Sequence, residues 1–150
     1  MKTLVVIPAY NEEKSIGGVV EDVKRVLPDS EVLVIDDGSS DRTGFVAENT
    51  QKATVVNLPA NLGIGGAVQT GFKYAKLKGY EVIVRIDGDG QHAAQSLATV
   101  LEPVLSGEAD VVVGSRFLYE NQPSSILARK VGQKIIGFLL SLILGQKITD

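Results

Sequence analysis

Cysteine is missing from all 150 residues, and histidine occurs once. Without a thiol there is no disulfide, no thiolate zinc site and no cysteine nucleophile, which fits a reducing compartment. His92, with no cysteine and no second histidine to join it, leaves no ligand set for zinc. A solitary histidine is also more often a surface or core residue than a catalyst. Positive charge is in short supply: fifteen lysines and arginines against eighteen carboxylates give a net charge of −3, which argues against a general nucleic-acid binder. No apolar run reaches the roughly 18 residues that span a bilayer. Met1 leads straight into a strand-like stretch, without the basic-then-apolar pattern of a signal sequence. Repeats, low-complexity tracts and linkers are absent too, so the length predicts a single domain, 1–150, with a core of its own.

What the chain does have is alternation. Five short apolar, β-branched runs, Leu4–Ile7, Val32–Ile35, Thr54–Leu58, Val82–Ile86 and Val111–Val113, read as strands buried on both faces, as in a parallel sheet. Helical patterns lie between them. Ile16, Val19, Val20, Val23, Val26 and Leu27 keep the spacing of one helix face, with Asn11 as its cap, Glu12 and Glu13 in its first turn and Pro28 as its stop. A second helix is expected from near Asp41 to before Ala53. A third carries Val68, Phe72 and Ala75 on one face and finishes at Gly79. A fourth covers about Gln95–Leu105, with Pro103 weakening its last turn. This order predicts an α/β fold, a mostly parallel sheet flanked by helices.

In such a sheet the carboxyl ends of the strands share one edge, where ligands bind. Polar residues follow four of the five runs: Pro8-Ala9-Tyr10-Asn11-Glu12, Asp36-Asp37-Gly38-Ser39-Ser40-Asp41, Asp87-Gly88-Asp89 and Gly114-Ser115-Arg116. Two carboxylates one residue apart repel unless a cation sits near them. A hard divalent cation with open positions would also suit the oxygens of a diphosphate. Gln91 offers a further neutral oxygen, and magnesium or manganese suits carboxylate, amide and water oxygens better than zinc does. The same triplet also reads as a plain turn. Asp36-Asp37 has two readings as well: a turn and helix cap, or a ligand site. Successive side chains point opposite ways, so one of the two can face the crevice and accept a base N–H or a ribose hydroxyl.

The glycine-rich stretch Asn61-Leu62-Gly63-Ile64-Gly65-Gly66-Ala67 with Gly71 matches no phosphate loop. Val68 stands where the dinucleotide fingerprint needs a glycine, and Phe72 where the P-loop needs lysine. These glycines predict a tight turn and a helix start packed close to the sheet or the ligand. Arg116 reads equally as a surface residue and as a fork-shaped donor to phosphate or sugar oxygens. In segment 126–148, the run Ile135–Leu144 is apolar nearly all round and follows Arg129, Lys130 and Lys134. It reads as a buried core helix, as a helix in contact with lipid or a membrane surface, or as a face for a partner.

Together, Ile7-Pro8-Ala9-Tyr10-Asn11-Glu12, Val34-Ile35-Asp36-Asp37-Gly38-Ser39-Ser40-Asp41, Asn61-Leu62-Gly63, Asp87-Gly88-Asp89-Gly90-Gln91-His92 and Gly114-Ser115-Arg116-Phe117 resemble the family-2 glycosyltransferases. The nearest branch is that of the polyprenyl-phosphate (dolichyl-phosphate) mannosyl- and glucosyltransferases. The resemblance implies a glycosyltransferase A fold, a nucleotide-diphosphate sugar as donor and Mg2+ or Mn2+ as cofactor. By that resemblance Pro8, Tyr10, Glu12, Ile35 and Asp37 line the nucleoside pocket. Asp87, Gly88, Asp89 and Gln91 hold diphosphate and metal, with Asp87, Asp89 and Gln91 as the metal ligands. Arg116 faces sugar or acceptor and, with Asp89, is the catalytic candidate. Two features depart from the pattern. Gly88 stands where relatives usually carry alanine, a change expected to be tolerated. Relatives also continue past a pair like Thr149-Asp150 into an acceptor-side segment, so this chain is expected to be a donor-binding module or a truncated form.

The reaction implied is transfer of a hexose from a GDP-mannose or UDP-glucose type donor to polyprenyl or dolichyl phosphate, by metal-assisted inverting displacement. A lipid phosphate is already ionised and needs no general base, whereas an alcohol acceptor would. Two alternatives stand beside it. A non-catalytic module would bind nucleotide-sugar or lipid without turnover. A sugar nucleotidyltransferase would want a basic glycine-rich loop near the N-terminus, where Pro8–Glu12 is acidic instead. The expected setting is cytoplasmic, with peripheral contact on the cytoplasmic face of a membrane; a homo-oligomer is left open.

Overall fold

The computed structural model describes residues 1–90 and 94–114. The chain divides between Val112 and Val113 into two units, and the architecture below is that of the first. Strands and helices alternate: β1 (Thr3–Ala9), α1 (Ile16–Val26), β2 (Glu31–Asp36), α2 (Thr43–Asn49), β3 (Thr54–Asn57), α3 (Gly63–Lys78), β4 (Val82–Arg85) and α4 (Ser96–Leu105). All strand pairs are parallel, in the order β3-β2-β1-β4.

Successive side chains leave opposite faces of the sheet, and both faces of its centre are apolar. Val5, Ile7 and Ala9 of β1, with Val32 and Val34 of β2 and Val82 and Val84 of β4, join a core that includes Ile16, Val20 and Val23 of α1, Ala47 of α2 and Leu97 and Leu101 of α4. Leu4, Val6, Leu33 and Ile35 form a second cluster with Ala67 and Ala75 of α3. The sheet is thus the middle of three layers.

Several details differ from the sequence pattern. Asn11 does not cap α1. It takes a left-handed backbone (φ 55°), which asparagine tolerates, and the helix begins only after Ser15. Glu12 and Glu13 therefore lie in the preceding loop. The strand at Val82 is not buried on both faces: Val82 and Val84 are buried, Ile83 and Arg85 exposed. Among the described residues it is the edge of the sheet, and α3 sits chiefly over β1 and β2. Val111–Val113 forms no strand, with Val111 and Val113 both about four-fifths exposed.

The buried stripe of α3 is Ala67, Gly71 and Ala75, and Phe72 points outward, 47% exposed. Small residues win this face because the helix lies so close to the sheet. A Cβ at Gly71 would overlap Val6 Cγ1, so nothing larger than hydrogen fits there.

Candidate functional site

From β1 to β3 the chain runs one way across the sheet, and α3 then returns it past β1 to β4. The direction reverses between β1 and β4. At such a switch point the loops leaving the two strands diverge and open a crevice. A cleft of about 300 Å³ lies there. Pro8, Ala9, Tyr10 and Glu12 enter it from the end of β1, Asp37 from the end of β2, and Asp87, Gly88 and Asp89 from beyond β4. Asn61, Gly63, Ile64 and Ala67 close it at the start of α3.

Asp36 and Asp37 divide the two roles the sequence left open. Both are buried. Asp36 turns away from the cleft, accepts the Ser39 N–H at 3.0 Å, and lies where a Cβ on Gly44 would crowd its Oδ2; it fastens the turn. Asp37 lines the cleft and accepts the Leu62 N–H at 2.8 Å. That bond requires the α3 loop to approach the β2 turn closely. Gly38 permits it, with φ 71° and Ala60 and Asn61 backbone atoms 2.8 Å from where a Cβ would stand.

The loops after β1 and β2 are tied to each other. Asn11 N–H donates to Ser39 Oγ (2.9 Å), and Ser40 N–H to Asn11 Oδ1 (2.8 Å). Glu12 N–H donates to the buried Thr43 hydroxyl (2.7 Å), which itself donates to Asp41. Asp41 also accepts the Thr43 N–H (2.9 Å) and the Glu13 N–H (3.2 Å). Desolvation pushes the Asp41 carboxyl up, but these hydrogen bonds outweigh it and hold the group below its ordinary value. A carboxylate depressed on folding adds stability that is present above its unfolded pKa and lost as pH falls through its folded one. Asp41→Asn, which cannot titrate, is therefore expected to flatten the acid loss of stability below about pH 4. Urea midpoints at pH 7 and pH 3 for both proteins measure this; parallel losses would remove Asp41 from the account.

Asp87 and Asp89 face the same cleft with Gly88 between them. A Cβ on Gly88 would sit 3.2 Å from Ala9 Cβ and 3.3 Å from the Pro8 carbonyl oxygen, so alanine fits after a shift of a few tenths of an ångström. The nearby donors are hard oxygens in an open cleft, which suit magnesium or manganese. Among the described residues no group of three or more His, Cys, Asp or Glu gathers. A resident cation is also present: Arg85 Nη2 lies 2.5 Å from Asp87 Oδ1.

Most of the residues singled out in the sequence meet here: Pro8, Tyr10, Glu12, Asp37, Asp87, Gly88 and Asp89. Ile35 does not line the cleft. It precedes Asp36 on β2, so its side chain faces α3 and is wholly buried beneath it. Gln91, His92, Arg116 and the apolar segment 126–148 lie outside the described residues. Sequence reasoning missed Arg85, although a lone charge in an apolar strand two residues before Asp87 was a signal. Asn61 and Ile64 belong to the turn and helix start expected to pack close to the sheet or the ligand, and they line the cleft.

Residues 4–150 match glycosyl transferase family 2. The chain belongs to that family. Its parallel sheet with flanking helices is the glycosyltransferase A fold. It is 34% identical, over 97% of its length and 64% of the relative's, to the UDP-N-acetylglucosamine--dolichyl-phosphate N-acetylglucosaminyltransferase of Methanococcus voltae. It is 37% identical, over 78% of its length and 46% of the relative's, to the polyprenol monophosphomannose synthase of Mycolicibacterium smegmatis. The chain thus spans between about half and two thirds of the length of these relatives. Among solved structures, it is similar to glucosyl-3-phosphoglycerate synthase of Mycobacterium tuberculosis in complex with Mn2+, UDP and glucosyl-3-phosphoglycerate. That match has a TM-score of 0.59 and 28% identity, covering 71% of this chain and 40% of the other.

Proposed function

We propose that this chain binds a nucleotide-diphosphate sugar together with Mg2+ or Mn2+ and transfers the hexose to polyprenyl or dolichyl phosphate, inverting the anomeric carbon. One observation carries the reading. Four carboxylates, Glu12, Asp37, Asp87 and Asp89, line a single cleft whose described lining includes no lysine or arginine. A diphosphate would be repelled from such a wall unless a cation came with it. The names of the relatives add the acceptor class, since two of them act on dolichyl phosphate or make polyprenol monophosphomannose. A solved relative holds Mn2+ and UDP together.

Each residue then has a task. Tyr10, half exposed at the mouth of the cleft, offers its ring to the base, and Pro8 gives the pocket an apolar floor. Asp37, fixed by the Leu62 N–H, presents a carboxylate to base or ribose donors, as does Glu12. Asp87, Asp89 and Gln91 would hold the cation, which when bound offsets the charge growing on the leaving diphosphate. Arg116 is assigned to sugar or acceptor oxygens. In the transfer an acceptor phosphate oxygen forms a bond to the anomeric carbon, while the bond from that carbon to the diphosphate breaks.

No helix among the described residues is long and apolar enough to cross a membrane, and the reading places any membrane contact peripherally, through segment 126–148. The test is transfer of radiolabelled mannose from GDP-mannose, or glucose from UDP-glucose, to polyprenyl phosphate in the presence of Mn2+. Label is expected in the lipid extract. Donor binding without extractable label would reduce the chain to a nucleotide-sugar binding module.

A further inference from the structure

We infer that Arg85 is a positioning residue that competes with the divalent cation for Asp87. The inference rests on the cation-assisted reading above and extends it to a residue outside the lining of the cleft. Arg85 ends β4 and Asp87 follows two residues later in the loop, where the two side chains meet. Arg85 lies opposite Val6 in the register with β1, on the part of that face that α3 leaves uncovered. Its guanidinium is therefore half exposed yet reaches Asp87 Oδ1 at 2.5 Å.

Two carboxylates placed this close need a positive charge nearby, and Arg85 supplies one before any ligand arrives. It also occupies an oxygen that the cation would use. A guanidinium touching a metal ligand opposes a second positive charge at the same carboxylate. Its pair with Asp87 is partly exposed, hence weak enough to open. Arg85 holds the first carboxylate in place and yields it when cation and diphosphate bind.

Titration of the full chain with Mn2+ alone, read by the loss of the free-ion paramagnetic resonance signal, tests this without any turnover. Arg85→Gln is expected to bind Mn2+ about fivefold more tightly than the wild type, the size a partly exposed ion pair supports. Arg85→Lys, which keeps the charge, is expected to stay near the wild-type value. Mn2+ binding by the wild type with unchanged or weaker affinity in Arg85→Gln overturns the competition and leaves the cation reading standing. A wild type that takes up no Mn2+ overturns both.

Discussion

Replacing Asp89 with alanine is expected to weaken Mn2+-dependent binding of a nucleoside diphosphate by roughly a hundredfold, about 3 kcal/mol, the loss typical when one partner of a close charge pair is truncated. The reason is local. Asp87 and Asp89 both line the cleft, and the proposed cation site draws on both carboxylates. Removal of Asp89 leaves Asp87 and a diphosphate with opposing demands on one metal. The fold should be unaffected, since Asp89 lies in the loop beyond β4 and not in either apolar cluster. Calorimetric titration at saturating Mn2+, with circular dichroism to confirm folding, measures the effect. Wild-type affinity in the variant would take Asp89 out of the cation site.

The second large effect concerns packing. Gly71→Val is expected to cost about 3 kcal/mol, at the upper end for overpacking a tight interface, and to lower the melting temperature by roughly 10 °C. Val6, directly opposite, is fully buried at the centre of the sheet and has nowhere to retreat. If α3 shifts outward instead, it carries Ile64 and Ala67 with it, and both line the cleft. Donor binding should therefore fall along with stability. Gly71→Ala should show the same trend at smaller size. A valine variant that melts with the wild type would mean that the helix does not lie against β1 as described.

Much of this was legible in the chain because it depends on period and order. β-branched runs alternating with helical spacing gave the parallel sheet, and a parallel sheet puts Tyr10, Asp37 and Asp89 along one edge whatever the loops do. Parity alone anticipated that Asp36 and Asp37 would separate, one toward the cleft and one away. What stayed hidden depends on distance. Phe72 looked like a core residue of α3 until the helix came close enough to the sheet to admit only Ala67, Gly71 and Ala75. The family resemblance places Ile35 in the pocket, yet the same parity turns it under α3. Asn11 read as a cap until its side chain took the Ser40 N–H and its backbone went left-handed. Arg85 stands out in the strand as a lone charge, but that it reaches Asp87 is a matter of distance.

The central claim is that this acid-lined cleft takes a diphosphate only in company with a divalent cation. Calorimetry of the wild-type chain with GDP and with UDP, each with and without Mn2+, tests it most directly. At least one of the two should bind with Mn2+ and lose about tenfold or more of its affinity without it. Equal affinity in the two conditions, or no binding of either nucleotide, would contradict the account.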